Sequence, residues 1–317
     1  MTTSPTHIFA PVSTPASSIF GLSIFVLLTV TAIFVVVFAL LTYVVVRFRK
    51  RSGTDNNEPV QIYGSTRVEL AWTVIPILVV VALFLAAARV IALVQDPMRP
   101  PGALEVIVTG HQYWWEYRYP QLNVVTANEL HVPVSDAINP SATFLTLLSA
   151  DTDHSFWVPR LGGKTDLIPN HPNQMWIDPH EAGLFLGQCA QYCGTQHAKM
   201  LLRVYVQSRE EFERWVHDQQ QTPKGDPASR GQHVFESTAC VNCHTISGTA
   251  AKGRFGPDLT HLMSRDTIAA GAAANTPEKL RLWIRNPDAI KPGSKMPAMG
   301  LSEGDVAAVA TYLETLR

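Results

Sequence analysis

The sequence predicts a membrane protein of three parts: a two-helix transmembrane hairpin, an all-β domain of sandwich or barrel type, and a small all-α domain. Three observations predict this. Two apolar runs, Ile19 to Val46 and Leu70 to Ala88, carry no charged residue, and about 20 apolar residues suffice for a helix to cross a bilayer. A middle stretch alternates short runs of β-branched and aromatic residues with Gly, Pro and Asn turns, the pattern of packed strands. Past a polar linker the apolar spacing turns helical and stays so to the end.

In chain order, residues 1–18 are rich in Ser, Thr and Pro and read as an irregular segment. The hairpin covers 19–94, with a connecting loop at about 47–69. That loop opens with Arg47, Arg49, Lys50 and Arg51, which the positive-inside rule keeps cytoplasmic, so both termini lie outside. A cleaved signal peptide is the rival reading of the first run, but it lacks a charged n-region and is too long for an h-region. Asp96 to Gly102, DPMRPPG, breaks the chain, and the β domain is placed at 95–208. Its strand runs are LEVIVTG, HQYWWEYRY, ELHVPV, ATFLTLLSA, MWIDP, AGLFLGQ and MLLRVYVQS. Residues 209–224 read as one or two charged helical turns followed by a polar linker, and 225–317 as the α domain.

Net charge is −1 over 317 residues, and no basic patch with interleaved aromatics is present, which excludes nucleic acid as a partner. Residues 95–221 hold 8 Lys+Arg against 14 Asp+Glu, and residues 222–317 hold 11 against 9. An acidic middle and a mildly basic tail would attract one another across a loose, salt-sensitive docking; ordinary scatter of surface charge accounts for the counts equally well.

All four cysteines lie on the outer, oxidising side, where disulfides are the ordinary outcome. They fall in two close pairs. Cys240 and Cys243, with His244, form C-x-x-C-H, the pattern of covalent haem attachment: two thiols add to two vinyl groups and the next imidazole ligates iron. A thioredoxin-like pair is the alternative, but the βαβ context it needs is absent. Met296, in GSKMPAMG, is the candidate distal ligand, with Met299 close behind. Here the tail resembles class I cytochrome c. Gly231 and Phe235 precede the attachment site, GPDL spans Gly256 to Leu259, and the last helix carries Tyr312 and Leu313. The resemblance implies Met296 as distal ligand and a backbone contact from Pro257 that orients His244.

The other pair lies in QCAQYCGTQHAKM, residues 188–200. A Cys189–Cys193 disulfide would leave His197 and Met200 without a role, and zinc rarely takes a thioether. Thiolate, imidazole and weak methionine together are the donors of copper electron-transfer sites. Two thiolates on one loop can each bridge two coppers, and His154 in ADTDHSFWVPRLGGK offers the second imidazole.

With these motifs in view, the whole chain resembles subunit II of a haem–copper cytochrome c oxidase with a cytochrome c domain fused at its C terminus, the caa-type arrangement. The segments that carry the likeness are the apolar hairpin, GHQYWWEYRY (110–119), DTDHSFWVP (151–159) and C-x-x-x-C-x-x-x-H-x-x-M. It implies an all-β cupredoxin-like Greek-key domain and a small all-α cytochrome c domain. It also implies a dinuclear copper centre, CuA, held by His154, Cys189, Cys193, His197, Met200 and the backbone carbonyl of Gln191. Many relatives carry Glu where this chain has Gln191, and Gln cannot bring the negative charge a nearby magnesium would use. Asp151 and the GHQ segment would face the catalytic subunit. Tyr113, in the place of a Trp in many relatives, and Trp114 would mark electron entry, although alternating aromatics are also what a strand core looks like. Glu69 corresponds to an acid at the mouth of a proton channel; Thr66-x-x-Glu69 also matches a capping box.

The function implied is electron input, from haem c to the copper pair and on to a partner that reduces O2 and translocates protons. Implied partners are catalytic subunit I, subunit III, membrane lipid, and cytochrome c or a quinol–cytochrome c reductase as donor. The implied location is the bacterial plasma membrane, two-pass, with the copper and haem domains on the periplasmic side. Three rivals share features: a quinol oxidase subunit II, which lacks the copper ligands; a CuA-containing nitric oxide reductase subunit; and a membrane-tethered copper carrier or assembly factor.

Overall fold

The computed structural model describes residues 6–49, 61, 63–95, 99, 102–135, 141–223 and 229–317. Two helices, α1 (Thr14–Arg47) and α2 (Thr66–Gln95), are long and apolar enough to cross a membrane. Both overrun the apolar runs that predict them. Thr66 is the first residue of α2 rather than its cap, and the basic residues Lys50 and Arg51 lie outside the described residues. The helices form one unit, and the rest of the chain forms a second.

In the second unit ten strands make two five-stranded sheets. One runs β3 (Val124–Ala127), β2 (Trp114–Tyr119), β1 (Leu104–His111), β5 (Thr143–Ser149), β8 (Asn173–Ile177). The other runs β4 (Glu129–Pro133), β10 (Leu201–Gln207), β9 (Gly183–Cys189), β6 (His154–Trp157), β7 (Thr165–Leu167). Strand β1 pairs antiparallel with β2 and parallel with β5, and β10 likewise with β9 and β4. Such non-local neighbours mark a crossed-over sandwich rather than a meander. The core between the sheets is aromatic: Trp115, Tyr117, Tyr119 and Phe156 are fully buried, each worth ~1.5–3 kcal/mol by area. Tyr119 also ties one sheet to the other, its hydroxyl donating to the His131 carbonyl (2.8 Å) and accepting from its N–H (3.0 Å).

Two expectations change here. HQYWWEYRY reads as a single strand but breaks after His111, so that Gln112 and Tyr113 form the turn between β1 and β2. The segment 209–224 reads mainly as linker, yet α3 (Arg209–Gln220) is a full helix. A capping box between Ser208 and Glu211 starts it, and Phe212 and Val216 join the sandwich core. Its Trp215 stacks on buried His131 at 4.3 Å, and Tyr205 covers the other face of that ring at 4.8 Å.

The segment before α1 belongs to the sandwich too. Val12 is in its core, His180 N–H donates to the Val12 carbonyl, and Arg160 Nε donates to the Ala10 carbonyl. The tail folds as α4 (Arg230–Ser237), the short α5 (Cys240–Cys243), a two-residue ribbon of β11 (Thr267–Ile268) and β12 (Ala273–Ala274), α6 (Pro277–Arg285) and α7 (Glu303–Leu313). Helices α4 and α7 cross where Gly231 sits; a Cβ there would lie 2.1 Å from the Ala308 carbonyl. Phe235 meets Tyr312 just beyond.

Candidate functional site

The predicted donors from four segments of chain converge at one end of the sandwich. His154 opens β6 and Cys189 closes β9, in antiparallel strands that pair Phe156 with Cys189. Met200 directly precedes β10, and Cys189 N–H donates to the Met200 carbonyl (2.9 Å), so the loop between them is closed at its neck. Inside that loop the Cys189 and Cys193 sulfurs stand 3.9 Å apart as free thiols. Cys189 Sγ lies 3.9 Å from His154 Nδ1, and Cys193 Sγ lies 3.7 Å from His197 Nδ1 and 3.8 Å from Met200 Sδ. The Gln191 carbonyl reaches Cys189 Sγ at 3.2 Å. All six sequence-named donors therefore meet here. His154 and Met200 are fully buried, and the two thiols nearly so.

Around them a set of hydrogen bonds fixes orientation. Asp151 accepts from His154 Nε2 (2.8 Å) and from the backbone N–H groups of Gln112 (2.7 Å) and Thr152 (2.7 Å). With Nε2 donating, Nδ1 of His154 keeps its lone pair toward the sulfurs, the usual way a carboxylate prepares a ligating imidazole. Gln112 Nε2 donates to the Cys193 carbonyl (2.6 Å), and Thr195 N–H donates to the Tyr113 hydroxyl (3.0 Å). The β1–β2 turn thus carries the thiol loop, which is the physical reason it interrupts the predicted strand. The shared hydrogen bond between the thiols holds Cys189 well below the ordinary thiol range, while the same bond and burial push Cys193 up. One proton shared by two sulfurs is a pair prepared for a cation. Soft thiolates, two imidazole Nδ1 atoms, a thioether and a carbonyl suit copper.

The tail supplies a second site. Cys240, Cys243, His244, Met296 and Met299 line a cavity of about 630 Å³. His244 Nδ1 donates to the Pro257 carbonyl (2.8 Å), leaving Nε2 free as a ligand atom. Burial, opposed by that hydrogen bond, lowers the pKa of His244, keeping the imidazole neutral. Gly256 allows the approach, since a Cβ there would lie 2.6 Å from His244 Cε1. Arg265, lining the same cavity, donates to the Asp258 carbonyl (2.6 Å), but its buried Nε has no partner. An unpaired guanidinium nitrogen, two thiols at attachment spacing and a prepared imidazole fit an anionic macrocycle such as haem. Met296 and Met299 both reach the wall, so both stand as distal candidates.

The cavity wall is completed by the β domain. His111, Gln112, Tyr113, Trp114 and Asp151 line it as well. His111, Gln112 and Asp151, expected near the face toward a catalytic subunit, also line the tail's cavity. Trp114 is buried with Ala127 of the sandwich and Ala270 of the tail, and stacks on His111 at 4.1 Å. Trp115 is core, packed against His154 and Phe156. Glu69 lies in α2 with its neighbours exposed and takes no part in either cluster.

The expected loose docking is replaced by an interface with buried charges. Glu129, on β4 and 1% exposed, accepts from Thr267 N–H (2.9 Å), Thr267 Oγ1 (2.7 Å) and Asp266 N–H (3.0 Å). Lys291, 3% exposed, donates from the tail to the Tyr113 carbonyl (2.7 Å). Neither residue carries a sequence signal.

Three family descriptions match the chain: cytochrome c oxidase subunit II, transmembrane domain, over residues 5–90; its periplasmic domain, over 138–207; and cytochrome c, over 228–317. Cytochrome c oxidase subunit 2 of Alkalihalophilus pseudofirmus is 33% identical over 315 residues, covering 97% of this chain and 90% of the relative. That of Bacillus subtilis is 33% identical over 296 residues, covering 87% and 82%. Among solved structures, the periplasmic domain of subunit II from Bradyrhizobium japonicum is 30% identical, covering 38% of this chain and 96% of that one, with a TM-score of 0.35.

Proposed function

Since the chain belongs to the cytochrome c oxidase subunit II family and carries a cytochrome c domain fused at its C terminus, we propose that it is the electron-input subunit of a terminal oxidase. In this reading, electrons taken up at a covalent haem c leave through a dinuclear CuA centre for the catalytic partner, where O2 is reduced and protons are translocated. When bound, the two groups supply reversible one-electron chemistry. His154, Cys189, Cys193, His197, Met200 and the Gln191 carbonyl would hold the copper pair. Cys240 and Cys243 would attach the haem, His244 would ligate it, and Met296, ahead of Met299 in the same loop, would be its second ligand. Asp151 fixes the tautomer of His154 and the Pro257 carbonyl fixes that of His244.

The observation that carries the reading is the shared wall: Tyr113 and Trp114 line the haem cavity, and the Tyr113 hydroxyl is bonded to the loop that bears Cys193 and His197. Tyr113 and Trp114 are therefore assigned to the path between the sites. The segment around Val12 packs on the sandwich that follows α2, which supports placing both ends of the helical pair on one side of the membrane. That side is the periplasmic face of a bacterial plasma membrane, with the arginines after α1 inside. Subunit I is the natural acceptor and a soluble or membrane-bound c-type donor the natural source; Glu69 is assigned to the proton-channel mouth of that assembly. A copper carrier must release its metal, whereas six donors closed behind a hydrogen-bonded neck retain it. Elemental and haem analysis of the purified chain tests the reading: two coppers and one covalent haem per chain are expected, and zinc or a Cys189–Cys193 disulfide would overturn it.

A further inference from the structure

We propose that Glu129 and Lys291 form a reciprocal latch that holds the haem domain in one register on the copper domain, making Lys291 a positioning residue for transfer between the two sites. The proposal rests on the functional reading above, and goes beyond it by replacing a tethered, shuttling haem domain with a fixed one.

Each domain sends one charged side chain into the other and bonds it chiefly to that domain's backbone; Glu129 also has Arg203 of its own domain at 3.7 Å. Glu129 of β4 collects the N–H groups of Asp266 and Thr267 and the Thr267 hydroxyl, at 2.7 to 3.0 Å. Lys291 of the tail caps the Tyr113 carbonyl at 2.7 Å while also holding its own domain's Ala269 carbonyl at 3.1 Å. Burying a charge is expensive unless its hydrogen bonds are made. In an undocked chain Glu129 loses its three haem-domain donors and Lys291 its link to Tyr113, so both are suited to a domain that stays docked. Desolvation lowers Lys291 to about 7, and it raises Glu129 against the hydrogen bonds from Thr267 and Asp266, which marks both as costly to bury.

The strap that carries Lys291 is stitched to both metal loops. Lys199 Nζ donates to the Ile290 carbonyl (2.9 Å) and Gln196 Nε2 to the Pro292 carbonyl, and these two donors flank His197. Lys291 itself holds Tyr113, whose hydroxyl accepts from Thr195 N–H. Met296 follows within the same loop. Residues 290–293 therefore join the distal side of the haem cavity to the histidine-bearing copper loop. Leu201 N–H, donating to the Ala270 carbonyl at 3.2 Å, closes the interface between them.

The test uses the full chain in detergent with Lys291→Met, which removes the donors at nearly constant volume, and with Glu129→Gln, which keeps an acceptor. Two readouts are needed. The first is amide hydrogen exchange at Leu201, Asp266 and Thr267, whose backbone N–H groups bond across the interface. The second is the first-order rate of haem-to-copper electron transfer after rapid photoreduction of the haem, measured with and without glycerol. In Lys291→Met, exchange at all three amides speeds up roughly tenfold or more, and transfer slows by roughly the fraction of chains undocked, about tenfold, and becomes viscosity-dependent. Glu129→Gln shows the same changes to a smaller degree and carries the test if Lys291→Met does not fold. Lys291→Arg, which keeps the donors, recovers part of both. Unchanged exchange in a folded variant overturns the latch, and faster exchange with an unchanged, viscosity-independent rate overturns the positioning role. A chain that binds no haem or no copper would contradict the functional reading instead, and the exchange readout would still judge the latch.

Discussion

Neighbouring donors of the cysteine loop stand 3.2 to 3.9 Å apart, whereas those of the tail stand around a cavity of about 630 Å³. The difference follows from what holds each set. His154, Cys189 and Met200 sit at the ends of β6, β9 and β10, and the ladder between those strands sets their spacing before any ion arrives. Cys240, Cys243, His244 and Met296 sit on short helices and loops whose own core residues, Phe235, Leu280 and Leu313 among them, line the cavity. Sheet edges can preorganise a small ion site. A large planar group is instead part of the core, and short helices of this length are marginal without the tertiary packing it supplies.

Removing the groups should break the two regions differently, and this is the largest effect expected. Replacing Cys240 and Cys243 by Ala removes covalent haem completely, read by in-gel haem staining. The helical signal of the tail then melts at a lower temperature while the β transition stays in place. Cys193→Ser removes copper, read by elemental analysis, yet leaves the β transition close to that of the parent chain. Equal loss of both transitions in either variant would contradict the contrast drawn here.

The next effect concerns the sandwich alone. Burial, partly offset by the hydrogen bond that His131 Nδ1 donates to Gln207 Oε1, lowers buried His131 from 6.5 to about 4. The unfolded chain thus binds the proton first as pH falls. Stability is intact above 6.5 and is lost as pH drops toward 4, by about 3 kcal/mol in all. Urea midpoints across this window should show the slope in the parent chain and lose it in His131→Gln.

The smallest effect compares two glycines. A Cβ on Gly110 would lie 2.9 Å from the His154 ring, and one on Gly256 would lie 2.6 Å from the His244 ring. Overpacking of this kind costs ~1–3 kcal/mol. Gly110 is inside β1, where the ladder resists relief, so Gly110→Ala should weaken copper retention. Gly256 lies in a loop that can shift, so Gly256→Ala should alter the haem spectrum while covalent attachment persists. Copper titration and optical spectroscopy read the two outcomes.

Much of this was legible in the sequence because the chemistry is local. C-x-x-C-H, the Cys189 to Met200 spacing, the two apolar runs and the strand alternation each declare themselves within a short window. Resemblance linked His154 to a loop 35 residues away. What stayed hidden depends on contacts between distant segments. HQYWWEYRY has strand composition throughout, and only Asp151 and the Cys193 carbonyl, meeting Gln112 from other loops, require a turn there. The helix at 209–220 looks like charged linker until Phe212 and Val216 find the sandwich core. Glu129 and Lys291 gain meaning only from backbone groups more than 130 residues away in the chain.

The central claim, that the two sites form one relay within a single chain, is tested most directly by rapid reduction of the purified, fully loaded chain. The account predicts that the haem is reduced first and then passes its electron to copper in a first-order step whose rate does not change with protein concentration. Copper reduced while the haem stays oxidised, or a transfer rate proportional to protein concentration, would contradict it.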